Sequence, residues 1–259
     1  RLSWSHIASP QVLDTPFAVA LRAEDSGGNL VEDFTGSASL AALSQGTRVP
    51  TGTGVTSTDA GLDAFYSQSR FQCIYTPAEI GGAGRLTALD LDLSYPPDIP
   101  LKNFTIRVKH TPLPNFNSPQ AGWETADWTV VYQSSTTFGV KGWHNFPFSA
   151  SFDYDGTSNL MVDFSFNNPD FSFGSGGTYM ATTKSDTRKL YYQSIGYPDP
   201  LTWSGNSTPS IPSSGLPNLR FTSYNNLSPI RPSATGSFAG GVWSGLVSVP
   251  FAAPGVELI

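Results

Sequence analysis

Asp90 and Asp92 alternate with Leu89, Leu91 and Leu93, and on an extended chain this throws both carboxylates to one face and the leucines to the other. Paired carboxylates suit acid–base work on a glycosidic bond. Acids two residues apart on one strand, however, lie too close together to flank that bond from opposite sides, so the expectation here is a solvated strand face. A second acidic group is Asp153-Tyr-Asp155-Gly156-Thr-Ser-Asn159. Its oxygen ligands at alternating positions, with a glycine for a sharp turn, suit a hard cation, and calcium held by Asp153, Asp155 and Asn159 is one reading. The glycine falls two positions earlier than in an EF-hand, and no glutamate stands at the twelfth position. The other reading is an Asp-Gly turn joining the strands on either side.

Nucleophilic hydrolysis needs Ser, Thr or Cys beside an oriented base. The bases on offer are His6, His110 and His144, and no Gly-x-Ser-x-Gly elbow accompanies them. They read as polar strand residues beside aromatics. No His-x-His, Cys-x-x-Cys or His-Glu-x-x-His spacing occurs to hold zinc or copper. Cys73, the single cysteine, sits in the apolar run Phe71-Gln-Cys-Ile-Tyr and reads as a small core residue. Aromatic rings are the remaining resource, because flat exposed rings stack on sugar C–H faces while Asp, Asn and Gln bond hydroxyls. Trp128 and Trp143 fall in alternating runs and are expected in the core. Trp123 and Trp203 stand in loop-like stretches, where exposure is expected, and with Tyr197 they are the candidate carbohydrate contacts.

The elements that must position these residues follow from composition. Among 259 residues only 13% are charged and another 13% are aromatic, while Gly and Pro number 25 and 21 without a repeating period. That is about half the usual charge density, and the turn residues exclude collagen, coiled coils and helical bundles. A net charge of −6 gives no footprint for a phosphate backbone, so nucleic acid is not an expected partner. No run approaches the ~18 apolar residues of a membrane span, so no membrane insertion is expected. Short runs rich in Val, Ile, Phe, Tyr and Thr recur between turn clusters, which predicts an all-β sandwich or barrel. A single helical turn is predicted at Pro77 to Ile80, between proline at a first helical position and Gly81-Gly82.

The two ends of the chain carry Trp4-Ser-His-Ile, Phe17-Ala-Val-Ala-Leu-Arg-Ala-Glu-Asp, Gly27-Gly-Asn29, Asp33-Phe-Thr-Gly36 and, after a Pro/Ser-rich linker at 229–237, Phe238-Ala-Gly-Gly-Val-Trp-Ser-Gly-Leu-Val. In this order they resemble the Ig-like modules of large bacterial surface proteins. The middle carries Arg70-Phe-Gln-Cys-Ile-Tyr, Asn103-Phe-Thr-Ile-Arg-Val-Lys-His, Trp128-Thr-Val-Val-Tyr, Gly142-Trp-His-Asn-Phe, Phe152-Asp-Tyr-Asp-Gly-Thr and Pro217-Asn-Leu-Arg-Phe. These landmarks resemble the jelly-roll-type sandwich regions of very large secreted bacterial proteins. The resemblance implies an Ig-like β-sandwich formed by residues 1–50 plus 235–259, interrupted by a larger jelly-roll-like β-sandwich at 60–225. It implies an extracellular or cell-surface location, and neither reaction nor ligand.

The expected object is therefore a piece of a longer bacterial protein. Its expected role is non-catalytic binding of a polysaccharide or cell-surface glycan through Trp123, Trp203 or Tyr197, with calcium as a structural ion. Neighbouring domains of the parent chain are its other expected partners. The competing expectation is a structural spacer or adhesin module with no small ligand.

Overall fold

The computed structural model describes residues 1–46, 48–58, 60–118, 122–173, 176–206, 208–253 and 255–259. The chain is all-β with antiparallel pairing. Its strands are β1 (Leu2–Trp4), β2 (Phe17–Ala23), β3 (Ser39–Gln45), β4 (Thr56–Thr58), β5 (Gln68–Tyr75) and β6 (Gly84–Tyr95). There follow β7 (Leu101–Thr111), β8 (Thr129–Thr136), β9 (Gly142–Tyr154), β10 (Asn159–Asn167), β11 (Thr178–Thr183) and β12 (Lys189–Ser194). The last are β13 (Ile211–Ser213), β14 (Gly215–Pro217), β15 (Leu219–Ala234), β16 (Val242–Val247) and β17 (Val256–Leu258). A one-turn helix, α1 (Pro77–Ile80), falls where proline and glycine bracket it. The Thr76 amide donates to Glu79 at its start, and Gly81 ends it at φ +95°, a value glycine adopts without strain.

The chain divides into two compact units, one of residues 1–46 and 224–259, the other of residues 47–223. In the first, β2 lies between β1 and β16, with Leu2 opposite Ala23 and Val242 opposite Arg22. A second sheet places β3 between β17 and the later part of β15. Alternation turns Val19, Leu21, Leu40 and Ala42 into a core completed by Ile230, Phe238 and Val247, so the unit is sandwich-like. Between β2 and the bridge at Leu30, Asp25 Oδ1 accepts from the Gly27 and Asn29 amides, and Gly28 takes the left-handed conformation such a turn requires. The expected linker at 229–237 is overturned over most of its length. Residues 229–234 belong to β15, and a register shift between Pro229 and Ala234 accommodates the prolines that cannot donate to the ladder.

In the second unit a six-stranded sheet has the order β13-β12-β5-β10-β7-β8. Opposite it, β6 pairs with β9 along most of its length and meets β11, which also pairs β4 and β14. The sheets enclose one apolar core: Phe71, Cys73 and Tyr75 of β5, Phe104, Ile106 and Val108 of β7, and Leu160, Val162, Phe164 and Phe166 of β10 meet Leu89, Leu91 and Leu93 of β6 and Phe146 of β9. Each such side chain contributes roughly 1.5–3 kcal/mol when fully buried. The far face of the six-stranded sheet is covered as well. A second cluster of Ile74, Phe116, Trp123, Met161, Leu190 and Trp203 packs there, so β5 is buried at every residue.

Candidate functional site

The expected exposure of Trp123 and Trp203 is overturned. Their relative exposures are 3% and 1%, because the two loops that carry them fold back across the outer face of the six-stranded sheet. An antiparallel bridge joins Trp123 to Gly205, and the rings meet edge to face with centroids 5.6 Å apart. Each indole N–H has a protein partner, Trp123 donating to the Pro209 carbonyl and Trp203 to the Pro198 carbonyl. Beneath them Arg70 donates Nη1 to the carbonyls of Pro200 and Trp203, Nη2 to that of Glu124, and Nε to Asp163. Gln72 adds bonds in both directions to the Glu124 backbone. The arrangement satisfies buried backbone groups and fastens both loops to the sheet. Tyr197 is partly exposed at the margin of this cluster and packs on Tyr192 and Trp203.

Asp153, Asp155 and Asn159 are each engaged elsewhere. Asp153 pairs with Arg85 at 3.0 Å, and Asn159 donates to the Leu113 carbonyl. Asp155 accepts from the Thr157 and Ser158 amides and the Ser158 hydroxyl, and these bonds hold its pKa far below the usual carboxylate range. The turn they close leads from β9, paired with β6, to β10 in the opposite sheet, so it is a passage between sheets and not a hairpin. Among the described residues no group of three or more His, Cys, Asp or Glu is placed to hold a metal ion. His110 accepts from the Asp155 amide and stacks on Tyr154. Ser158 donates to Asp155 and not to an imidazole, an arrangement that puts no base on the hydroxyl.

The polar constellation that the fold does assemble lies on the outer face of β6. Leu89, Leu91 and Leu93 point into the core, and Asp90 and Asp92 point away from it. The antiparallel register with β9 sets Asn145 opposite Asp90 and Trp143 opposite Asp92. Arg220 at the start of β15 and Arg48, on a segment bridged to it through Pro50, approach from the other side. The expectation of a solvated Asp90 is corrected, for it is 1% exposed. Oδ1 accepts from Arg48 at 2.8 Å and Asn145 at 2.6 Å, while Oδ2 accepts from Arg220 Nε at 3.0 Å and pairs with its Nη2 at 2.9 Å.

Trp143, expected in the core, is half-buried on this outer face, and the Arg220 guanidinium lies 4.0 Å from its ring centroid. Inward positions of β9 go instead to Phe146 and the more weakly buried His144, which packs on Phe138. Asp92 is also half-buried beside Arg220. Burial raises its pKa against the opposing pull of Arg220 and a hydrogen bond with Asn218. An aromatic ring, two carboxylates, an amide and two guanidinium groups thus share one partly open sheet face. Sequence reasoning found Asp90 and Asp92 but missed Trp143, Asn145, Arg48 and Arg220. The available signal was parity: Trp143 and Asn145 share a strand face, and each is an odd number of residues from inward-facing Phe146.

No protein family, curated protein or solved structure matches the chain.

Proposed function

We propose that the chain is a non-catalytic, extracellular β-sandwich binding module of a larger bacterial protein, with an Ig-like sandwich interrupted by a jelly-roll-like one, and that it takes a glycan on the outer face of β6 and β9. One observation carries this reading: the half-buried Trp143 ring, with Arg220 over one of its faces, stands on an outward strand face with Asp92 and Asn145. Sugar recognition uses an aromatic face for C–H contact and planar polar groups for hydroxyls. Asp92 accepts, Arg220 donates, and Asn145 can do both.

Affinity electrophoresis and calorimetry against soluble polysaccharides, neutral and charged, test the reading. Trp143→Ala is expected to weaken binding severalfold, up to about tenfold, since an aromatic contact is worth ~0.5–1.5 kcal/mol, with the fold checked by circular dichroism. A spacer or adhesin module is the second reading, favoured by the inward turn of Trp123 and Trp203. No binding to any polysaccharide by the folded protein selects it.

A further inference from the structure

We infer that the glycan taken by the Trp143 face is acidic, carrying carboxylate or sulfate groups. This rests on the reading that the face takes a glycan, and it follows from how charge is arranged there. The chain as a whole is acidic, at −6, with 14 cationic side chains against 20 acidic ones. On this face the balance is different. Arg48 and Arg220 converge on the single buried carboxylate of Asp90, and with Asp92 beside Arg220 these four side chains sum to zero.

Asp90 is unavailable to a ligand. Both its oxygens are occupied and its side chain is 2% exposed. The arginine side chains are not sealed in the same way, with exposures of 32% for Arg48 and 27% for Arg220. Asp90 is thus a positioning residue that draws two partly exposed arginines to one carboxylate. Stacking on Trp143 fixes the Arg220 plane. Guanidinium groups held in place in this manner suit carboxylate and sulfate oxygens, through bonds stronger than those to neutral hydroxyls. Lys141, exposed two residues before Trp143, is a further cation just ahead of β9.

Asp92 is a carboxylate that opposes an anionic ligand here. It is half-buried, and burial favours its neutral form. Its charge therefore weakens anion binding near neutral pH, and its protonation relieves the repulsion.

The test measures binding to alginate as a carboxylated probe and dextran sulfate as a sulfated one, with dextran and xylan as neutral probes, for the wild type and for Trp143→Ala, Arg220→Gln and Asp92→Asn. The inference expects at least one acidic polymer to bind about tenfold more tightly than the neutral ones, with affinity falling as salt rises. Arg220→Gln should abolish the preference, and Asp92→Asn should strengthen acidic binding severalfold. Whichever acidic polymer binds better identifies the substituent. Equal or better binding of neutral polymers, lost in Trp143→Ala, overturns the acidic ligand and leaves the glycan reading intact. Acidic binding indifferent to Arg220→Gln and Trp143→Ala, or weakened by Asp92→Asn, also overturns the inference. Failure of every polymer to bind the folded protein overturns the glycan reading itself.

Discussion

Arg70 donates to the backbone carbonyl of Trp203 at 2.7 Å from within the sheet, so a side chain only 1% exposed anchors the loop that carries Trp203. The same side chain pairs with Asp163 at 2.7 Å and lies beneath the Trp123 ring at 4.8 Å. Removing Arg70 frees both loops. Arg70→Met is expected to destabilise the protein by about 3 kcal/mol, the lower end for a broken buried pair. Gln72 and Arg107 still reach Asp163 and limit the loss. Urea unfolding followed by circular dichroism checks this.

Trp203→Ala removes a fully buried ring and should cost about 3–5 kcal/mol. Because Trp203 lies in the outer cluster of the six-stranded sheet, the variant at a temperature where it stays folded should retain the glycan affinity of the wild type. A loss of affinity without a loss of stability would place Trp203 at the ligand.

Glu79 predicts a defined acid dependence. Burial would raise its pKa, yet hydrogen bonds with Arg188, Lys184 and the Thr76 amide outweigh that and hold it at about 2, against an ordinary 4.5. A depressed carboxylate pKa stabilises the fold fully above the unfolded value, and that stabilisation disappears as pH falls through the folded value. Glu79→Gln should therefore be less stable than the wild type by about 3 kcal/mol near neutrality. The difference should close between pH 4.5 and about 2. Thermal melts of both proteins across that range measure it.

Cys73 is fully buried, and burial pushes its thiol pKa up to about 12. The native protein should leave a thiol-specific chromogenic reagent unreacted at pH 8, and one equivalent should react only as the chain unfolds. Fast reaction of the folded protein would show that β5 opens locally.

Asp155 uses its carboxylate to close its own turn. Millimolar calcium should leave the melting temperature within about 1 °C, since only a ligand that prefers the folded state raises it. A larger rise, abolished in Asp155→Asn, would show that calcium binds at this loop.

How much of this was legible in the sequence depends on the range of the interaction concerned. Local signals read correctly: the bracketing of Pro77–Ile80 and the alternation that sends Leu89, Leu91 and Leu93 inward and Asp90 and Asp92 outward. The tryptophans did not read correctly because their burial is decided elsewhere. Trp123 and Trp203 look like loop residues, and only the far-off Arg70, Gln72 and Asp163 make the sheet face able to receive them. Trp143 looks like a core residue, yet its register against Asp92 turns it outward. Asp90 looked solvated because its neighbours in sequence are leucines. The arginines that cover it stand 42 residues before it and 130 after it.

Strand β10 lies between β5 and β7 with almost no solvent face, for Leu160 to Phe166 are buried without interruption. In a half-exposed strand, a slip of one residue is penalised by exchanging the wet side for the dry one. Here both sides are dry, and hydrophobicity alone discriminates poorly between alignments. Asp163 supplies the discrimination, standing opposite Gln72 on one side and Arg107 on the other, within reach of Arg70. A shift of either neighbour by one position would leave a buried charge facing the apolar core, at a cost of several kcal/mol. In this sheet a single carboxylate acts as the registration mark for three strands.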